Sequence, residues 1–138
     1  METARALAAP SRLEVEPVDA LVEIDFGEWT GASFEALESD PRWQAWNERR
    51  AEGACPGGES MAGVQRRVVD HLFATARRLP AAVGAMVTHA DVIRAAVAHV
   101  LGLTLDHFHR FDVSPASITE VQIAGDQARL IQLNERVE

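Results

Sequence analysis

His89 occupies a position where a protein chain commonly binds an anion. It follows the apolar run Val83–Val87, which predicts a strand buried on both faces, and it precedes apolar residues at helical spacing. The carboxyl ends of strands are where open α/β sheets bind ligands. The free N–H groups at a helix N-terminus attract negative charge. The sequence therefore predicts an anion site at this strand–helix junction.

Two carboxylates, Glu23 and Asp25, could move a proton near such a site. Glu23 and Asp25 alternate with Val22, Ile24 and Phe26, so the two carboxylates share one face of a predicted strand. Spacing alone favours an edge strand with solvated acids. The functional alternative places one carboxylate in a cleft, where burial raises its pKa and makes it a general acid.

The loop before the next helix contains two weaker candidates. Gly57 and Gly58 could form a nest of backbone N–H groups for an anion, although a single Gly-Gly pair is weak evidence. Cys55 invites comparison with cysteine phosphatases, but no arginine follows it at the spacing that a phosphate clamp needs. We therefore interpret Cys55 as a bystander.

Composition excludes several classes of function. The 138 residues have a net charge of −8, which argues against a nucleic-acid partner. No apolar run is long enough to cross a membrane, and no signal peptide is evident, so the expected location is cytoplasmic. The lone cysteine excludes a Cys-based zinc site, and His107 and His109 diverge on a helix. We expect no metal and no other cofactor.

Helices and strands must position these side chains. Cap residues and apolar spacing predict several helices, and Gly125-Asp126 predicts the turn of a C-terminal hairpin. Two tryptophans three residues apart are expected to pack in the core, with a substrate-covering lid as the alternative. The predicted helices cover 2–9, 34–37, 41–50, 60–79, 92–101 and about 105–108, and the predicted strands cover 13–15, 22–26, 83–87, 118–123 and 128–133.

Three motifs in one order resemble the histidine phosphatase superfamily, which includes the phosphoglycerate mutases. They are Leu21-x-Glu23-x-x-x-Gly27-x-Trp29-x-Gly31, Pro56-Gly57-Gly58-Glu59-Ser60 and Val87-Thr88-His89. The resemblance implies an α/β fold, a three-layer phosphoglycerate mutase-like sandwich with a mainly parallel sheet. We expect one domain over 1–138, missing the first strand–helix–strand unit of the family.

The resemblance also implies a mechanism and site residues. In the family, a histidine in an Arg-His-Gly motif attacks phosphorus and forms phosphohistidine, without a metal. By motif position, Glu23 is the proton donor and His89 is a second histidine that stabilises phosphate, helped by the Ala90 backbone N–H. Weaker phosphate-binding candidates are Asp91, Glu59 and Ser60, although Asp91 is better explained as a helix cap. The implied partner is a phosphorylated small molecule or phosphate.

The sequence departs from the family pattern in ways that change the expected function. No Arg-His-Gly occurs in it, and Ala90 stands where the family usually has glycine. Thr3-Ala4 resembles a pair that follows an arginine in the family, which suggests a misassigned start. We expect the chain to be inactive. The alternative is a non-catalytic anion-binding or regulatory module with half of the phosphate pocket. A strand at 83–87 without its neighbour predicts a homo-oligomer or a complementing chain.

Overall fold

Helices make up most of the regular structure. The computed structural model describes residues 1–136, and two longer helices pack against each other at its centre. None of the helices described combines the length and the apolar composition that a membrane crossing requires. The α-helices are α1 (Glu2–Ala8), α2 (Phe34–Glu38), α3 (Pro41–Glu48), α4 (Met61–Arg78) and α5 (Ala90–Val100), with 3-10 turns at Ala9–Ser11, Asp19–Leu21, Gly27–Trp29 and Leu105–Arg110.

The predicted cap residues begin three of these helices. The Ser33 hydroxyl accepts a hydrogen bond from the Ala36 N–H, and Asp40 accepts one from the Arg42 N–H. The Ser60 hydroxyl accepts from Gly63 at 3.1 Å. Each side chain satisfies an N–H group that has no partner within its helix.

The core lies between α4 and α5. Apolar residues at helical spacing bury one stripe of each helix, and the 3-10 turn Leu105–Arg110 packs against α5 and adds the buried Leu105 and Phe108. Trp46 on α3 is 2% exposed and Trp43 is half-buried, which confirms the expected core role. The fully buried side chains of this core include Met61, Val64, Val92 and Phe108.

A hairpin follows, as the sequence predicts. β1 (Ser117–Ala124) and β2 (Gln127–Arg136) pair antiparallel around Gly125, whose φ of +59° suits the turn. Burial alternates along β1, so one face of the hairpin packs on the helices and the other faces solvent.

The three other predicted strands do not form, so those predictions are wrong. Within residues 1–136 the ladder between β1 and β2 forms the whole sheet, and 13–15, 22–26 and 83–87 have no strand partner. Val83 is fully exposed, although its apolar run predicted a buried strand. The mainly parallel sheet is therefore not formed in the described chain. A strand exists only where a neighbour satisfies its N–H and C=O groups, and hydrophobic pattern alone cannot supply that neighbour.

Candidate active site

Glu23 and His89 meet, although 66 residues separate them in the sequence. The Glu23 Oε2 lies 3.7 Å from the His89 Nδ1. His89 is the N-cap residue of α5, and its side chain makes no capping bond to the helix. The Thr88 hydroxyl donates a 2.6 Å hydrogen bond to the Leu21 carbonyl, which holds the two segments together. The predicted acid and the predicted second histidine thus share one surface at the start of α5.

The surroundings of Glu23 act on the pKa of its carboxyl group in both directions. Burial raises its pKa above the ordinary value of 4.5, and the nearby negative charge of Asp91 raises it further. The Ile24 N–H, which donates to Oε1 at 3.0 Å, acts in the opposite direction, as do His89 and Arg67. The net direction is upward, which suits a group that must donate a proton.

Glu59 serves to fix the loop that contains Glu23. Arg67 on α4 holds its carboxylate with two hydrogen bonds, 2.8 Å from Nε to Oε1 and 3.0 Å from Nη2 to Oε2. The third nitrogen of Arg67 donates to the Ala20 carbonyl at 2.8 Å. Because one arginine bonds both segments, the Glu23 loop is tied to the start of α4.

Two glycines allow the backbone of the Glu23 loop to cross the backbone of the segment before α4 in direct contact. A Cβ atom added at Gly58 would lie closer than 3.0 Å to the Asp25 carbonyl oxygen, and one added at Gly27 would meet the Pro56 carbonyl oxygen equally closely. The Glu59 N–H donates to Asp25 at 2.8 Å, and the Gly58 N–H donates to Cys55. These N–H groups are therefore used within the protein, and they form no open nest for an anion.

The weaker phosphate-binding candidates lie at two helix starts. Ser60 caps α4, as described above. Ala90 is the first residue of α5 and is half-buried. Asp91 does not cap α5, contrary to the expectation: its carboxylate lies 3.6 Å from the Arg50 Nη1 and 3.8 Å from the Arg94 Nη1. Two cationic neighbours draw this side chain away from the backbone N–H groups.

Sequence reasoning missed two arginines. Arg50 is 5% exposed, and its guanidinium carbon lies 3.8 Å from the ring centre of Trp46. It stands in a polar stretch after α3, where no local pattern predicts burial. Arg67 lies among other charged residues of a long helix, where such side chains are ordinarily solvated, but it is partly buried against Glu59. Its place beside the apolar stripe of α4 was the available signal.

Two further findings concern alternative chemistries. Cys55 is buried, and burial raises the pKa of its thiol to about 11, so the reactive thiolate is disfavoured. In the part of the chain that the structure describes, no three His, Cys, Asp or Glu side chains lie close enough together to hold a metal ion.

Two curated relatives match nearly the whole of this chain. It is 31% identical over 134 residues to phosphoserine phosphatase 1 of Hydrogenobacter thermophilus, covering 96% of this chain and 64% of that protein. It is 32% identical over 131 residues to a bifunctional protein of Mycobacterium tuberculosis, covering 94% of this chain and 35% of that protein. The chain therefore spans less than two thirds of the length of either relative.

Solved structures share its fold. YhfR of Bacillus stearothermophilus superposes with a TM-score of 0.89 at 21% identity, over 99% of this chain and 69% of that one. A mycobacterial glucosyl-3-phosphoglycerate phosphatase in complex with inorganic phosphate gives 0.81 at 25% identity, over 98% and 71%. These neighbours confirm the α/β fold class. The family model of the histidine phosphatase superfamily (branch 1) matches residues 1–136. The chain belongs to the histidine phosphatase superfamily.

Proposed function

We propose that the chain carries one half of a phosphomonoester pocket, from a phosphatase that acts through phosphohistidine. The observation that carries this proposal is the 3.7 Å approach of Glu23 to His89 at the start of α5, in a chain of this family. The carboxyl group with a raised pKa and the imidazole stand beside a helix N-terminus, which favours a bound phosphate.

In this proposal the residues have distinct roles. A nucleophilic histidine forms a bond to phosphorus while the bond from phosphorus to the leaving oxygen breaks, and Glu23 gives that oxygen its proton. His89 and the Ala90 N–H stabilise the negative charge on the phosphoryl oxygens. Water then attacks phosphorus, its proton passes to Glu23, and the histidine is released. Asp91, Glu59 and Ser60 act through position and charge rather than by direct contact with phosphate.

The substrate class is a small phosphorylated molecule. The names of two relatives, a phosphoserine phosphatase and a glucosyl-3-phosphoglycerate phosphatase, support hydrolysis over phosphoryl transfer between substrates. Residues 1–138 contain no Arg-His-Gly motif, so the nucleophile is not among them. We therefore expect these residues alone to bind phosphate weakly and not to hydrolyse phosphomonoesters.

A complementing strand belongs to the same proposal. Val83 and Val87 are exposed apolar residues in a segment without a strand partner in residues 1–136. Another strand, from a longer form of the chain, a second copy or a complementing chain, would satisfy the backbone groups of this segment. The nucleophile would enter the pocket on that added element.

The test combines catalysis with phosphate binding in the 138-residue chain. We expect no hydrolysis of p-nitrophenyl phosphate. We also expect weak binding of inorganic phosphate that shifts the His89 ring signals and is lost in His89→Ala. His99→Ala, on the exposed face of the same helix, is the matched control and should bind as the unchanged chain does. Hydrolysis that His89→Ala abolishes would contradict the expected inactivity, and binding unaffected by His89→Ala would contradict the pocket.

The alternative is a non-catalytic anion-binding or regulatory module. The observation in its favour is that Glu23 and His89 remain together in a chain without the nucleophile. This alternative requires a folded protein of 138 residues in the native cell. Intact mass measurement that finds only a longer protein would exclude it.

A further inference from the structure

Thr88 makes a contact that bears on both members of the acid–histidine pair. Its hydroxyl donates a 2.6 Å hydrogen bond to the Leu21 carbonyl, across 67 positions of the sequence. Leu21 lies two residues before Glu23, and Thr88 lies directly before His89. In the described part of the chain, it is the one hydrogen bond that joins the loop containing Glu23 to the segment containing His89.

The other hydrogen bonds of the Glu23 loop run to a different part of the molecule. Arg67 on α4 donates to the Ala20 carbonyl at 2.8 Å. The Glu59 N–H, just before α4, donates to the Asp25 carbonyl at 2.8 Å. These bonds hold both ends of the loop against α4 and the residues before it. Neither bond reaches the segment that contains His89.

Backbone pairing does not align the two segments either. Residues 22–26 and 83–87 form no strand ladder with each other, and within residues 1–136 the sheet consists of β1 and β2. In a sheet, the ladder of backbone hydrogen bonds would fix the register of two neighbouring segments. Here the Leu21 carbonyl accepts from the hydroxyl of Thr88, so a side chain fixes the alignment instead.

The surroundings of this bond make the loop dependent on it. Its length of 2.6 Å is at the short end of the range for a hydroxyl donor. Thr88 and Leu21 are half-buried, whereas the adjacent Val22 and Val87 are exposed. A half-buried carbonyl that loses its donor must find water instead. Because the solvent side is open, the loop would move outward and carry Glu23 with it.

We propose that Thr88 is the positioning residue of the acid–histidine pair, and that its hydroxyl holds Glu23 at 3.7 Å from His89. This inference rests on the proposed function, in which Glu23 gives a proton to the leaving oxygen of a phosphate held by His89. Proton transfer needs a fixed geometry, and a displacement of about 1 Å lowers the rate strongly. The role requires a hydroxyl donor, so serine can replace Thr88, whereas valine, which has nearly the same shape, cannot.

The test measures how strongly Glu23 acts on His89 in the 138-residue chain. In ¹H–¹⁵N spectra at neutral pH, Glu23→Gln removes the carboxylate charge and should shift the His89 ring signals. In Thr88→Val the same replacement should shift them at least about twofold less, because the interaction weakens with distance and with the water that enters. Thr88→Ser should keep the full response. Thr30→Val, at an exposed threonine, is the matched control and should also keep it.

The response separates positioning from a merely structural bond. A structural bond would lower the stability of Thr88→Val and leave the His89 response of its folded form unchanged, and that result would overturn the proposal. A lost response in folded Thr88→Ser would overturn it as well. If Thr88→Val does not fold, the Thr88 hydroxyl proton of the parent chain decides. Slow exchange with water supports the bond, and fast exchange contradicts it.

These measurements contain no phosphate, so the inference and the proposed pocket can fail separately. Loss of the coupling between Glu23 and His89 in Thr88→Val, together with no phosphate binding by the parent chain, would refute the pocket and keep the positioning role. Phosphate binding that depends on His89, together with full coupling in Thr88→Val, would keep the pocket and refute the role of Thr88.

Discussion

The crossing of Gly27 and Gly58 supports a prediction that can be worked out in detail. Replacing Gly58 by alanine adds a Cβ atom closer than 3.0 Å to the Asp25 carbonyl oxygen and 2.7 Å from the Gly27 nitrogen. Both neighbours are backbone atoms, so no side chain can rotate to make room. The two segments must separate, and the contact that ties the Glu23 loop to the start of α4 must open.

The hydrogen bonds at the crossing give the magnitude. The Glu59 N–H bond to the Asp25 carbonyl at 2.8 Å and the Glu28 N–H bond to the Pro56 carbonyl at 2.9 Å join the two segments and depend on the close approach. At about 1 kcal/mol for each bond, Gly58→Ala should lower the free energy of unfolding by roughly 2 kcal/mol. That is a large share of the total stability of an ordinary domain.

Two other glycines provide matched controls for urea unfolding followed by tryptophan fluorescence. Gly84→Ala has no neighbour within 4 Å and should change the free energy of unfolding by less than about 0.5 kcal/mol. A Cβ atom at Gly57 meets only the Glu28 Cγ at 3.9 Å, an ordinary contact, but the φ of Gly57 is +66°, so Gly57→Ala should cost about 1 kcal/mol through backbone strain. Equal stability of Gly58→Ala and Gly84→Ala would refute the steric reasoning.

Two further predictions concern Glu23 and Arg67. Because burial raises the pKa of Glu23 above 4.5, its favourable contribution to folding is complete at lower pH and is lost as the pH rises through the folded-state pKa. In urea unfolding, the free energy of unfolding of Glu23→Gln should therefore increase relative to that of the unchanged chain as the pH rises from 4 to 7. Glu35→Gln, at an exposed position, is the control. A difference in free energy that stays constant across this range would contradict the reasoning. Arg67→Met removes the paired bonds to Glu59 and should cost about 2 kcal/mol. Arg66→Met, on the exposed face of α4, is the control and should cost less than about 0.5 kcal/mol. If thermal melts give the same loss of stability for Arg66→Met and Arg67→Met, the contact with Glu59 contributes nothing.

Elements determined by neighbouring residues were predictable from the sequence. Ser60 and Asp40 identify helix starts because a cap side chain bonds to N–H groups two or three residues ahead. The hairpin around Gly125 follows from alternating apolar residues on either side of a turn. Val83–Val87 was mispredicted because burial of a strand depends on partners that its own residues do not specify. The pattern records which side chains would tolerate burial, and it contains no information on whether a neighbour is present.

The site was predictable only in part, for a similar reason. The motif positions of Glu23 and His89 brought two distant residues together, as the structure does, although their roles remain predictions. Arg50 could not be found, because an arginine in a polar stretch is ordinarily solvated. Its burial depends on Trp46, four residues earlier, and on Phe108, which is remote in sequence. Contacts of this kind arise from tertiary packing and leave no periodic signal.

The exposed segment at 83–87 has a consequence for how the protein behaves in the cell. Val83-Gly84-Ala85-Met86-Val87 contains no charge and no proline, and Val83 is fully exposed. Such a stretch can stack in register with copies of itself, as in the cross-β spine of a fibril. Fibril formation rises steeply with concentration, whereas pairing with a correct neighbour strand removes the template. A neighbouring strand on 83–87 would therefore protect the chain from aggregation as well as complete its sheet.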